Sequence, residues 1–380
     1  MAARYQVRLK DQTGILVAII TDWRRLEYSR RVNAPGEFTL VIDGTDPVRD
    51  LFVLDAMVEV WRSDLAASPA IDWYLDFEGF HRVETRSTDV DGRSEYTSQG
   101  FGYAHLLRRR AIAFRKGSAQ ADKSGVGETV IKEYVDENAG PGAAVAARLD
   151  SGVFPGLTVI PTFGAGGSWQ GERALQNLLV VVQDIARTTD IDFELVGSGP
   201  ALFEFRAGAQ PLGDDRTTVG LDPATGLNSA GNPPVVFSLE FGNMLVPVYR
   251  DNRATEITRI IMSGQGSEDS RTFSVFNATA SISGASPWNV IESVHDASDE
   301  EEELARIAIA EGLIQKLQRR QTLTWQFSQT PGALLGRDYF FGDQVTGRYQ
   351  NIERNLQIVG LDIRIIEGIE DITIQLSDVT

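Results

Sequence analysis

The sequence predicts a β-rich α+β fold: two small β-barrel domains with α+β modules inserted between their strands. Three observations predict it. The first hundred of the 380 residues break into short alternating apolar and polar runs divided by turn signals. The last sixty have the same texture. Between them lie stretches whose apolar residues recur at 3–4 spacing. The length suits two or three domains.

The opening strands are Tyr5–Lys10, Ile15–Thr21, Leu26–Val32 and Glu37–Ile42. "NAPGE" turns the last two, with Pro35-Gly36 as the turn signal. A helical piece is expected over Asp46–Phe52, then strands over Ala56–Arg62, Trp73–Thr88 and Ser94–Gly102, the last two joined at Asp91-Gly92. The middle reads as helix over Ser124–Gly140 and again over Ser168–Thr189, where Leu175, Leu178, Leu179, Val182 and Ile185 share a face. Strands follow over 192–197 and 201–208, and residues 209–234 are loop-rich. Further strands are expected over Val235–Asn243, Ala254–Gly266 and Arg271–Asn277, then a helix over about 299–320. Ser298 would cap that helix, "DEEEE" fill its first turn, and Lys316, Arg319 and Arg320 its last, which suits the helix dipole. A solvated helix start explains the acidic run better than a metal cluster. The tail closes with "TLTWQFSQ", "FGDQVTGRY", "NLQIVGLDIRIIEG" and "EDITIQLSD".

Two stretches echo each other. One starts at Asp55 and the other at Asp343. Each runs into an alternating strand ending in a basic residue, then a strand with an internal glycine (Gly79, Gly360), an acidic turn and a return strand. A mid-strand glycine permits a sharp bend at a barrel corner. The echo marks either two similar barrels or a coincidence among β-meanders. It also makes Asp343 a turn residue entering a strand rather than a catalytic carboxylate, and Asp55 a loop-to-strand junction.

Composition narrows the function. With 42% apolar residues the chain can build real cores, and no apolar run is long enough for a membrane span. The N-terminus lacks an apolar signal core, so a soluble, cytosolically made protein is expected. The absence of cysteine removes disulfides, thiolate nucleophiles and cysteine-type zinc sites together. The three histidines, His81, His105 and His295, each sit apart from any metal-binding spacing. A net charge of −17 argues against stable nucleic-acid binding, despite basic clusters at Leu106–Lys116 and Gln315–Gln321.

Individual residues favour structural roles. In "GDDRT", Asp214 or Asp215 binding a cation competes with an Asp-Arg pair that fixes the loop, and the pair is preferred. "FGNM" is a turn with Asn243 tolerating left-handed φ. His81 is a wall residue. His105 lies in a helical turn closing the first barrel, with Arg108–Arg110 beside it as candidates for pairing with an acidic neighbouring subunit. "GAGGSWQG" (Gly164–Gly171) precedes a helix but lacks the Gly-Lys-Ser/Thr ending of a phosphate cradle, and reads as a flexible loop.

Taken in order, "GEFTLVI", "FEGFHRVETRSTDVDG", "SQGFGYAHLLRRR", "ALQNLLVVVQDIARTTDIDFEL", "GDDRT", "PVVFSLEFGNM", "SGQGSEDSR" and "GRDYFFGDQVTGRY" resemble the siphophage ReqiPepy-type tail proteins. That family is similar to the baseplate hub proteins of contractile phage tails. The resemblance implies tube-like β-barrel domains over 1–115 and over 206–250 with 321–380. An α+β insertion over 116–205 and a strand-helix module over 251–320 complete the chain. It implies a homotrimer whose six barrels form a pseudo-sixfold ring at the virion tail tip. Implied partners are a distal tail or tail tube protein, a tape measure protein and tip or fibre proteins. Genomic DNA would be passing cargo, and no membrane, cofactor, metal or catalytic residue is implied. An acidic ring would let DNA slide, though ordinary solubility explains the charge equally well. The competing readings are a tail-associated enzyme that cuts cell-wall polymer and a carbohydrate-binding tip protein. The first would need a cleft with paired carboxylates, a Cys/His pair or a zinc site; cysteine is absent, and no separate catalytic domain is expected after the last barrel. The second would use exposed aromatics such as Trp73, Trp169, Trp288 or Trp325, whose contexts read as core or strand.

Overall fold

The computed structural model describes residues 3–64, 67, 70–113, 121–144, 153–266, 271–279, 282, 286–298 and 303–378. Strands hold 50% of the chain and helices 14%, so the β-rich class is observed. The chain forms two compact units, Met1–Val246 with Trp325–Thr380, and Pro247–Thr324.

The first unit opens as a meander. β1 (Arg4–Lys10) pairs with β2 (Leu16–Ile20), and β3 (Arg25–Arg31) with β4 (Glu37–Asp43). Asn33, at φ 59°, turns the second hairpin. The helical piece expected over Asp46–Phe52 is a 3-10 turn, Pro47–Leu51, capped by Asp46 accepting from the Val48 amide. β5 (Met57–Asp64), β6 (Ile71–Thr88) and β7 (Ser94–Gly102) follow, and α1 (His105–Arg108) closes the meander. At the Asp91-Gly92 hairpin the Asp89 carboxylate accepts from the Asp91 and Arg93 amides at 2.9 and 2.8 Å. Alternation buries Phe38, Leu40 and Ile42 on one face of β4.

The insertion departs from expectation at both helices. Residues Asp122–Val126 form a strand, β8, and helix α2 spans Gly127–Asn138. Gly125 takes φ 150°, outside the helical region, and a Cβ on Gly127, the first residue of α2, would lie 2.1 Å from Thr189 Oγ1, so glycine there permits close packing. After β9 (Leu157–Val159), residues Ser168–Glu172 form β10, which pairs with β8. Helix α3 is only Leu178–Thr189, capped by Asn177 accepting from the Val180 amide. Leu175, at φ 55° and 69% exposed, leaves the apolar stripe, whereas Leu178, Leu179, Val182 and Ile185 are buried as expected. β11 (Ile191–Gly199) and β12 (Leu202–Ala209) complete a three-stranded sheet in the order β11-β12-β9. Helices α2 and α3 share its core through Ile131, Val135, Val182 and Ile185 against Phe193 and Phe205.

Short strands β13 (Asp215–Arg216) and β14 (Val236–Ser238) lie in and after the loop-rich stretch. The strand expected over Val235–Asn243 therefore stops at Ser238. β15 (Met244–Asn252), which the sequence reading missed, follows. In the second unit β16 (Arg259–Ser263) is shorter than expected. It is flanked by β17 (Phe273–Asn277) and by the unforeseen β18 (Glu292–Asp296). Helix α4 is Glu303–Lys316. The expected acidic first turn, 299–302, lies outside the described residues. Arg319 and Arg320 fall past the helix end. Arg319 pairs with Asp251 at 2.5 Å, and Arg320 opens β19 (Arg320–Phe327).

The first unit closes with β20 (Gln344–Tyr349), β21 (Ile352–Ile366) and β22 (Ile369–Asp378). These strands, assigned from sequence to a second barrel, join the opening meander in one twelve-stranded sheet. Its order is β13-β20-β21-β3-β4-β7-β6-β5-β1-β2, with β14 also on β20 and β22 on β21. The join is β21 against β3, from Gly360↔Arg31 to Ile366↔Arg25. Among the described residues no closed barrel is detected. Gly360 sits at a bulge between Ile358 and Gly360, as a bend requires. Gly79 has a different duty: a Cβ there would lie 2.4 Å from the Phe101 carbonyl oxygen, so it permits close backbone approach.

Candidate functional site

The polar groups that the fold brings together are ties between distant strands. Asp343 is 2% exposed. Its carboxylate accepts from the Asp214 amide at 2.8 Å, the Phe340 amide at 2.8 Å and Arg216 Nε at 2.9 Å. Burial pushes this carboxyl up, against the lowering effect of the two amides and Arg216. Arg216 also reaches Asp214 at 3.1 Å, so "GDDRT" holds the Asp-Arg pair expected of it. Asp343 thus anchors the parallel pairing of β13 with β20.

Asp55, at φ 59°, accepts from Arg82 Nη1 and Arg109 Nη2, each at 2.9 Å. Burial raises this carboxyl, and the two arginines outweigh it and hold it below the usual range. Arg109 is therefore engaged within the chain. Arg110 lies over the Phe154 ring at 4.1 Å, and Arg108 is exposed. His105 stacks on Phe101 with ring centroids 4.6 Å apart. Burial and then the charges of Arg109 and Arg108 push its imidazole down to about 4. His81 is buried on β6, shares a 2.8 Å hydrogen bond with Ser98 Oγ, and is lowered by burial. His295 lies on β18.

Two readings need correction. Asn243 does not take left-handed φ; Gly242 does, at 69°. The buried Asn243 amide bridges the turn instead, accepting from the Ser238 amide at 2.8 Å and donating to the Val236 carbonyl at 2.9 Å. Gly164–Gly171 is not a free loop. The Phe163 and Ala165 amides donate to Glu128 at 3.0 and 2.7 Å, and Ser168–Glu172 is β10. Burial raises Glu128, but Lys132 and those amides hold it low.

Of the tryptophans, Trp325 is 4% exposed and stacked near Phe237 and Phe327, and Trp169 packs on the insertion core. Trp73 is half-buried on β6. Trp288, 87% exposed, departs from the core-or-strand expectation because it sits in a turn.

Sequence reasoning missed two polar centres. Arg62, 2% exposed, donates from Nε to Glu370 at 3.0 Å and Tyr5 Oη at 2.9 Å, and from Nη1 to the Leu335 carbonyl at 2.9 Å. Burial opposes its charge, but Tyr5, Tyr74 and Glu370 together keep it protonated. A basic residue inside an alternating strand was the available signal. The second centre is a cavity of about 270 Å³ between the main sheet and the insertion, lined among others by Arg30, Asp76, Glu78, Glu194 and Arg206. Asp76, 3% exposed, accepts from Tyr28 Oη at 2.5 Å and Arg30 at 3.4 Å. No helix among the described residues is long and apolar enough to cross a membrane.

Comparison with solved structures places this fold among tail proteins. The tail protein from Neisseria meningitidis MC58 superposes with a TM-score of 0.59 at 13% identity, covering 100% of this chain and 97% of that one. The 43 kDa tail protein of prophage MuSo2 from Shewanella oneidensis gives 0.61 at 10% identity, covering 99% and 98%. The prophage tail protein gp18 from Listeria monocytogenes EGD-e gives 0.57 at 12% identity, covering 98% and 94%. At such identities the likeness is one of fold. Comparison with curated proteins finds no match. Residues 6–373 match a family described as Siphovirus ReqiPepy6 Gp37-like protein. Fold and sequence agree over almost the whole length, and the chain belongs to the Siphovirus ReqiPepy6 Gp37-like protein family.

Proposed function

We propose that this chain is a structural hub of a phage tail, without catalysis. Three copies form a pseudo-sixfold ring that joins the tail tube or distal tail protein to the tip and lets DNA pass. The observation that carries the reading is the likeness to tail proteins across both chains' lengths, in a family that spans residues 6–373. The domain partition follows the ring. Residues 1–115 and 206–250 with 321–380 are its two tube-like modules, and 116–205 and 251–320 are the decorating ones. Both groups supply strands to one continuous sheet, so the two modules join edge to edge through β21 and β3. A sheet of this kind leaves edges, and a ring of subunits covers them. A tape measure protein above and tip or fibre proteins below complete the assembly at the virion tail tip.

Light scattering on the purified protein tests the reading. The expected mass is three times 41.7 kDa. A monomer at micromolar concentration, or release of fragments from cell-wall polymer, overturns it in favour of a tip enzyme.

A further inference from the structure

β11 pairs with β12 on one side only, so its other edge faces the main sheet. Two side chains of the main sheet grip that edge in place of a strand. Asn33 accepts from the Phe193 amide at 2.6 Å and donates to the Ile191 carbonyl at 3.2 Å. Glu78 accepts from the Gly197 amide at 2.5 Å. Positions 193 and 197 are four apart and so point to the same edge. A Cβ on Gly197 would lie 2.8 Å from Glu78 Oε2, so glycine there lets the carboxyl reach the backbone. Between the two grips lies the 270 Å³ cavity. One grip is neutral at every ordinary pH and the other titrates.

We propose that Glu78 is a proton-operated latch. It fastens the inserted sheet to the main sheet when it takes up a proton and loosens it when the proton leaves.

The surroundings of Glu78 supply the reason. Arg30 from β3 is engaged by Asp76 at 3.4 Å and lies over the Phe341 ring at 4.4 Å. Arg206 from β12 is engaged by Glu204 at 2.5 Å and Glu194 at 3.7 Å. Glu59 from β5 and Glu194 from β11 add negative charge, and the Tyr103 phenol faces the same carboxyl. Among the described residues no cation forms an ion pair with Glu78. Burial therefore dominates and pushes Glu78 up to about 7, with Glu59 and Glu194 adding and the Gly197 amide and Arg30 subtracting. An exposed glutamate titrates near 4.3. The closed junction thus binds the proton more tightly than the open one. Closure is strongest below that exposed value, weakens as pH rises through the window up to about 7, and stays weak above it.

Hydrogen exchange on the intact protein tests this, with rates corrected for intrinsic chemistry. Protection of the amides over 193–197 should fall at least about tenfold between pH 5 and pH 8, while that of β21 stays level. In Glu78→Gln the 193–197 amides should lose this pH dependence. In Asn33→Ser, protection should drop at both pH values and keep its slope. A slope shared by wild type and Glu78→Gln overturns the proposal. An NMR titration of the wild-type carboxyl decides independently of any variant: a midpoint near 7 supports the latch, and one near 4.5 overturns it.

Discussion

Arg62 sits at the meeting point of β1, β5, β6 and β22, with its guanidinium shared between Glu370, Tyr5, Tyr74 and the Leu335 carbonyl. Removing one member of such a set leaves the others buried and unpaired, which outweighs the loss of the attraction itself. Arg62→Ala should lower unfolding free energy by about 3–5 kcal/mol. Urea unfolding checks this, and a loss below about 1 kcal/mol would place Arg62 outside the structural network. Asp55 makes a pH-dependent contribution. Its folded-state value lies below the ordinary one, so its stabilisation is present at neutral pH and is lost as pH falls through that depressed value. Asp55→Asn should therefore reduce thermal stability at pH 7, by a difference that shrinks as pH falls below the ordinary carboxylate range, as read by calorimetry.

At the scale of elements, the two echoed glycines separate. A Cβ on Gly79 meets the Phe101 carbonyl oxygen at 2.4 Å, a backbone atom that moves only with β7. A Cβ on Gly360 meets the Gln375 Cβ and Oε1, each at 2.9 Å; the amide end can swing aside, and the Cβ moves only with β22. The approach is half an ångström looser than at Gly79, so Gly79→Ala should cost about 2–3 kcal/mol and Gly360→Ala about 1 kcal/mol, in paired denaturation curves. Reversal of that order would mean β7 yields more easily than β22. The α3 cap is a third element-level case. Asn177→Ala should cost about 1 kcal/mol, since the Val180 amide loses its acceptor.

For the whole molecule, charge decides the relation to DNA. The proposed trimer, at −17 per chain, would carry three times that, −51. Phosphate neutralisation is the main source of sequence-independent DNA affinity, and this surface offers little of it. Gel-shift titration of the assembled protein in about 50 mM salt should show no retained DNA up to tens of micromolar. Micromolar retention would contradict a slippery acidic ring.

Much of this chain is legible from local chemistry. Period-2 alternation located β1, β4, β7 and β20 to β22, because half-buried strands must alternate, and a continuous apolar run located β2. Asp91-Gly92 and Pro35-Gly36 marked their hairpins, since few other residues adopt those turns cheaply. Helical spacing misled at Ser168 and Ser124, where the pairing of β8 with β10 overrode local preference, and partners over forty residues apart leave no periodic trace. Tertiary structure alone decided three things: that β21 joins β3 across some 330 residues, that Arg62 meets Glu370, and that Glu78 meets the edge of β11. Each is a contact between segments remote in sequence, set by which faces and edges remain after the local strands have formed.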